Sequence, residues 1–170
     1  MAGNAYVDVV AGVFTKVAGT QVSAGAGNAN QIVALTAAGV LDSTVLPPGV
    51  GANTKPALTS EALAAGNLVN VYSNAGVVTV RKADATTPGK RANGFVLAAF
   101  GAATTATVYF GHQLNNAITG LTPGTDYFLN TTAGGVTTTS PTTVGQVSQF
   151  VGTATAAGEL EFAPGPAVSL

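Results

Sequence analysis

Short runs in which apolar and polar residues alternate are the main pattern of this chain. Two such runs, at residues 6–10 and 13–17, are separated by Ala11-Gly12 and predict a pair of short strands. Similar runs recur between residues 68 and 162, with Gly, Pro and Asn in the segments between them. The pattern predicts an all-β fold with many turns.

The second half of the chain consists of two similar β units, at about residues 58–110 and 116–162. Three pairs of residues share one offset of 58 positions: Leu63 with Leu121, Gly66 with Gly124, and Gly94 with Gly152. Each unit closes on an alternating strand that ends in Phe110 or Phe162. We therefore expect residues 58–170 to form a duplicated β domain, like a sandwich or a barrel.

We predict that residues 1–57 form an N-terminal anchoring arm with a small β segment. Residues 24–57 in particular are too short and too rich in glycine to hold a core alone. A further short strand is predicted at residues 31–35. We expect the arm to lie along another surface or between symmetry-related subunits. Its candidate contact residues are apolar or aromatic: Tyr6, Val9, Phe14, Ile32, Leu35 and Leu46.

One short helix is also predicted, at residues 59–65. Thr59 and Ser60 are residues that cap a helix start, and Gly66 is a residue that commonly ends one.

The composition favours assembly. Charged residues make up 8% of the chain, against roughly 25% in ordinary soluble domains. The longest apolar run, residues 95–100, is far shorter than the ~20 residues of a membrane-spanning helix, and no secretory signal is expected at the start. Apolar surface on such a chain is best buried between subunits. The alternative is a monomer with a large core and a Thr-rich surface.

Candidate chemistry is sparse. The chain has no Cys, which excludes disulfides, thiol catalysis and Cys-based zinc sites, and its only histidine is His112. Glu159 and Glu161 lie two positions apart, so on a strand their side chains face the same side. Carboxylates at this spacing usually lie on the solvent-exposed face of a strand. We expect no enzyme activity, cofactor, metal or small-molecule substrate. The net charge of −1 gives no general attraction to nucleic acid.

Four of the six basic residues are close together in the sequence: Arg81, Lys82, Lys90 and Arg91. This basic cluster suggests contact with an acidic partner surface, such as another subunit. The alternative is a solvated hairpin tip.

Several segments resemble structural proteins of tailed bacteriophages. Residues 23–35 read SAGAGNANQIVAL and residues 38–47 read AGVLDSTVLP, which is similar to a segment found in such virion proteins. The segments AGNLVNV at residues 65–71, GFVLA at residues 94–98 and LTPGTDYFL at residues 121–129 resemble small capsid decoration (cement) proteins of phage heads.

The resemblance implies a structural virion protein on the outer surface of a phage head, made in the host cytoplasm. Its expected partners are the major capsid protein and further copies of itself, as a homotrimer. It implies no catalytic residues. The alternative is a head-fibre or tail-fibre module that binds the host-cell surface, which an outer face grouping Tyr109, Tyr127 and Phe128 would favour.

Overall fold

The computed structural model describes residues 5–29, 31–42, 45–46 and 53–170, and the chain divides into two compact units, Met1–Gly51 and Ala52–Leu170. The described residues form fourteen strands and no α-helix; a 3-10 turn lies at Gly25–Asn28. The all-β prediction is therefore confirmed. The boundary between the units precedes β3 (Thr54–Thr59), so this strand belongs wholly to the second unit.

A β-hairpin is the main element of the first unit. β1 (Ala5–Val10) pairs antiparallel with β2 (Val13–Ala18), as the alternating pattern predicts. Ala11 and Gly12 both have positive φ, at 53° and 80°, which is the backbone of the tight turns that match strand twist. The strand predicted at residues 31–35 is wrong, since only Val33 makes a bridge, to Thr20.

A closed five-stranded barrel begins the second unit. It contains β3, β4 (Leu68–Asn74), β5 (Val77–Lys82), β6 (Gly94–Phe95) and β7 (Thr105–Phe110), in the order β3-β5-β4-β6-β7. Its neighbours are antiparallel except β3 and β5, which run parallel. The pairs Leu58–Thr79 and Thr59–Val80 make this closing contact. A cluster of small and branched side chains is buried with these strands: Ala57, Leu63, Val69, Val80, Val96, Ala106 and Val108.

An open five-stranded antiparallel sheet follows the barrel. Its strands are β8 (Gln113–Asn115), β9 (Asp126–Leu129), β10 (Val136–Thr137), β12 (Phe150–Ala156) and β13 (Glu159–Phe162), in the order β10-β9-β12-β13-β8. Separately, β11 (Val147–Ser148) pairs with β14 (Val168–Ser169) near the end of the chain.

The barrel and the open sheet have the same strand order. We match the sheet strands with the barrel strands in chain order: β8 with β3, β9 with β4, β10 with β5, β12 with β6 and β13 with β7. The sheet order β10-β9-β12-β13-β8 then corresponds to β5-β4-β6-β7-β3. This is the order around the closed barrel, started from β5. The parallel contact that closes the barrel has no counterpart between the described strands β8 and β10, so the sheet keeps two edges.

The barrel and the sheet share one hydrophobic core. Leu68, Phe95 and the alanines of the β5–β6 connection pack with Leu129, Leu160 and other inward side chains of the sheet. The rings of Phe95 and Phe162 meet edge to face, with centroids 5.3 Å apart. Burial of this shared apolar surface holds the second unit together as one body.

The predicted helix over residues 59–65 is wrong. Thr59 is the last residue of β3 and pairs with Val80, while Leu63 bridges to Phe100. The Glu61 carboxylate accepts a hydrogen bond from the backbone N–H of Lys82 instead of capping a helix. Long-range strand pairing thus overrides the local capping pattern.

Candidate interaction surfaces

The predicted basic cluster separates into two neutralised lysines and two arginines. The Lys82 ammonium lies 4.0 Å from the Glu61 carboxylate, and that of Lys90 lies 3.8 Å from Asp84. Both pairs are partly exposed, so each contributes little to stability. Their main effect is that a neighbouring carboxylate offsets the charge of each lysine.

Arg81 and Arg91 are brought together by one buried side chain, Asn70. The Arg81 Nε–H donates to Asn70 Oδ1 over 3.0 Å, and Asn70 Nδ2–H donates to the carbonyl of Arg91 over 2.9 Å. The guanidinium carbon of Arg81 also lies 4.4 Å from the centre of the Tyr72 ring, which is a cation–π distance. Neither arginine forms an ion pair with a carboxylate of the described residues.

A surface cleft of about 310 Å³ is lined by Arg91 and by Asn70, the residue that binds Arg81. We call it the arginine cleft. Its walls come from β4, the β5–β6 connection, β11 and the last residues of the chain, and they include Asn70, Gly89, Arg91, Val147, Ala167 and Ser169. Arg91 is exposed, so its guanidinium is free to meet a ligand. An arginine in such a position suits a carboxylate, which its planar fork binds through two parallel hydrogen bonds.

An acidic row crosses the face of the open sheet that points away from the shared core. Asp126 pairs in register with Thr153, Thr153 with Glu161, and Glu161 with Leu114. Their neighbours Tyr127, Leu160 and Phe162 are buried, so the row occupies the opposite face. The Thr153 hydroxyl donates to Asp126 Oδ1 over 2.7 Å.

Glu159 lies on the same outer face, two residues before Glu161, as the spacing predicts. Its carboxylate accepts a hydrogen bond from the Thr155 hydroxyl at 3.4 Å. None of the three carboxylates Asp126, Glu159 and Glu161 forms an ion pair with a basic residue of the part of the chain that the structure describes.

The first unit exposes most of its large apolar side chains. Among the predicted contact residues, Val9, Ile32 and Leu35 are about half exposed and Phe14 is 81% exposed, while Tyr6 and Leu46 are half-buried. Val9 and Phe14 face each other across the hairpin. No described side chain of this unit is buried, so its apolar residues have no core within it.

The aromatic residues of the second unit do not form an exposed face. Tyr127 is 5% exposed, and its hydroxyl accepts a hydrogen bond from the backbone N–H of Thr122. Tyr109 is half-buried and stacks on Phe95, and Phe128 is half-buried against Phe150. Their first role is packing.

His112 lies exposed in the turn between β7 and β8. The described residues contain no group of three or more His, Cys, Asp or Glu side chains placed to hold a metal ion. Nor does the described part of the chain include a helix long and apolar enough to cross a membrane.

Sequence reasoning missed Asn70 and the acidic row. Nothing in the local sequence marks Asn70 as the link between two arginines eleven and twenty-one positions later. The acidic row did have a signal. The repeat places Gly152 opposite Phe162, as Gly94 is opposite Phe110, and that register puts Asp126 level with Glu161.

No protein-family model, no curated protein and no solved structure matches this chain.

Proposed function

We propose that this protein is a structural virion protein that decorates and stabilises a phage capsid. The first unit anchors it on the shell formed by the major capsid protein, and the β domain projects outward. The protein acts as a homotrimer on the outer surface of the phage head and carries out no catalysis. The resemblance of five segments to virion and decoration proteins is the starting point of this proposal.

The observation that carries the proposal is the apolar surface of the first unit. A two-stranded hairpin is marginally stable in water unless something packs on it. Ten large apolar side chains of this unit are nevertheless exposed: Val7, Val9, Val13, Phe14, Val22, Ile32, Val33, Leu35, Val40 and Leu41. An anchor that becomes buried on a shell accounts for both facts, because apolar patches of this kind mark interaction sites.

The second unit is, on this proposal, two copies of one fold. Equal strand order in the barrel and the sheet supports the duplication. Hydrogen bonds repeat at the offset of 58 positions: Gly66 N–H donates to the Val96 carbonyl, and Gly124 N–H to the Ala154 carbonyl, each over 2.8 Å. The reciprocal bonds, from Val96 to Asn67 and from Ala154 to Thr125, also repeat.

A duplicated body with its own core suits a projecting module. Residues 53–170 include ten charged side chains, and four of these form the two salt bridges. Many copies on one shell stabilise it by mass action, because each bound copy favours the assembled state over the open one.

Co-sedimentation with purified phage heads that lack their decoration protein tests the anchor. We expect the wild-type protein to pellet with heads, and the double variant Val9→Ser/Phe14→Ser to remain in the supernatant, because it removes two facing apolar side chains of the hairpin.

The matched control is Val77→Ser/Val78→Ser, which removes two exposed valines of the second unit and should pellet like the wild type. Equal binding by both double variants would overturn the anchor, and a wild-type protein that ignores heads would overturn the decoration function. Adhesion of that protein to host cells would instead support the fibre module, for which the half-buried aromatics supply no evidence.

A further inference from the structure

The charges of the second unit are divided between its two halves. Residues 53–110 contain five basic residues (Lys55, Arg81, Lys82, Lys90, Arg91) and two acidic ones (Glu61, Asp84), which gives 5 − 2 = +3. Residues 111–170 contain no Lys or Arg and three acidic residues (Asp126, Glu159, Glu161), which gives −3. In a chain with so few charges, equal and opposite halves call for a physical explanation.

No described salt bridge joins the basic half of the second unit to its acidic half. The two described salt bridges both lie inside the first half, where they neutralise Lys82 and Lys90. The unpaired charges that remain are Lys55, Arg81 and Arg91 on one side and the three carboxylates of the open sheet on the other. Arg91 lines the arginine cleft, and Arg81 is bound by Asn70, which lines the same cleft. Asp126 and Glu161 lie in the acidic row.

We infer that the protein assembles head to tail, with the arginine cleft of one molecule receiving the acidic row of a second copy. This inference deepens the self-association in the proposed function and rests on it. The chemistry matches, because an arginine fork binds carboxylates through paired hydrogen bonds. Leu114, 39% exposed at one end of the row, supplies an apolar contact beside the charges.

The charge pattern restricts the kinds of symmetry. A two-fold contact centred on one patch would set two arginine clefts or two acidic rows against each other, and like charges are unfavourable across an interface. A two-fold contact that covers both patches pairs each cleft with a row and stops at a dimer, which sedimentation distinguishes from a ring. A head-to-tail contact instead joins opposite charges at every interface and generates a ring where the rotation closes. A homotrimer is one such ring.

Charge reversal on each surface tests this contact by sedimentation velocity of the full-length protein at low salt. Arg91→Glu and Glu161→Arg should each raise the dissociation constant of self-association by at least about tenfold, because each places like charges in the contact. Raising the salt concentration should weaken the wild-type assembly, because dissolved ions screen the attraction between the two charged surfaces. The screening length is about 10 Å at 0.1 M ionic strength.

The decisive variant carries both changes in one chain, Arg91→Glu/Glu161→Arg. It restores opposite charges at every head-to-tail contact and should recover the assembly that each single variant loses. Lys55→Glu is the matched control, because Lys55 is exposed on β3 and does not line the arginine cleft. It should assemble like the wild type. Arg91→Gln, which removes the charge without reversing it, replaces Arg91→Glu if that variant does not fold.

A monomeric wild type at low salt would overturn the inference, as would single variants that assemble normally or a double variant that stays dissociated. Head binding is measured separately. A protein that assembles but ignores heads retains the head-to-tail contact and loses the decoration function, whereas a protein that binds heads as a monomer does the reverse.

Discussion

Gly94 and Gly152 occupy the same place in the two halves of the second unit. Gly94 lies between Val69 and Phe110, and Gly152 lies between Tyr127 and Phe162. A Cβ at either position would overlap a backbone carbonyl oxygen, that of Tyr109 or that of Glu161. A backbone carbonyl in a paired strand has little room to move. Only glycine therefore lets β7 approach β6, or β13 approach β12, this closely.

We expect Gly152→Ala to lower the free energy of unfolding by about 2–3 kcal/mol, since the added methyl must push β12 away from β13. Urea denaturation measures the change. Gly101→Ala is the control, because its Cβ would meet only the Thr104 methyl at 3.7 Å, and its midpoint should stay near that of the wild type. An equal effect of both substitutions would contradict the role of Gly152.

Gln149 shows how one buried side chain joins distant segments. Its amide donates to the carbonyl of Ala92 over 3.0 Å and accepts from the N–H of Ala92 over 2.8 Å, as a strand neighbour would. The same nitrogen donates to the carbonyl of Gly165 over 3.2 Å. The side chain therefore satisfies backbone groups of the first half and of the C-terminal segment together.

At the scale of elements, closure distinguishes the two halves of the second unit. β4 and β5 each have a strand on both sides in the barrel, whereas β8 and β10 are the edges of the open sheet. Both edges are short, two and three residues, which limits unwanted pairing with other chains.

Hydrogen exchange of backbone amides should follow this difference. We expect the amides of β10 and of the β1–β2 hairpin to exchange at least about tenfold faster than those of β4 and β5, because edge strands and isolated hairpins open locally. β9 and β12, at the centre of the open sheet, serve as the internal reference and should resemble the barrel. Equal protection of the β10 and β4 amides from exchange would contradict the position of β10 at an open edge of the sheet.

Local patterns predicted the elements whose structure depends on near neighbours. The hairpin around Ala11-Gly12 follows from alternation on either side of a tight turn. The failed helix at residues 59–65 depends instead on Val80 and Phe100, which are distant in sequence. For the same reason the basic cluster could be identified from the sequence, while the pairing of its two lysines with Glu61 and Asp84 could not.

At the scale of the whole molecule, the shared core couples the two halves of the second unit. Phe95 of the barrel stacks on Tyr109 and meets Phe162 of the open sheet. A change at this ring should therefore weaken both halves together, although only one of them contains it.

We expect Phe95→Leu to lower the free energy of unfolding by about 1–2 kcal/mol and to shift both halves equally. Methyl NMR signals of Val80 and Val151 in increasing urea measure the barrel and the open sheet separately. Their midpoints should coincide in the wild type and in the variant. A substitution of Val144, which is 87% exposed, is the control. A shift confined to Val80 would show two independent halves.

β3 also determines when the barrel can close, because its antiparallel partner β7 is the last barrel strand to be synthesised. Of the five barrel strands β3 is made first, yet Tyr109, the partner of Thr54, lies 55 positions further along the chain. At about 5–20 residues per second, a ribosome takes several seconds to supply β7. During that time β4 and β5 can pair, since they adjoin in sequence, while β3 has only its two-residue parallel contact with β5 and lacks its long antiparallel partner. Lys55 and Pro56 within β3 discourage pairing with other chains. The barrel strand that waits longest for its antiparallel partner thus carries its own protection against aggregation.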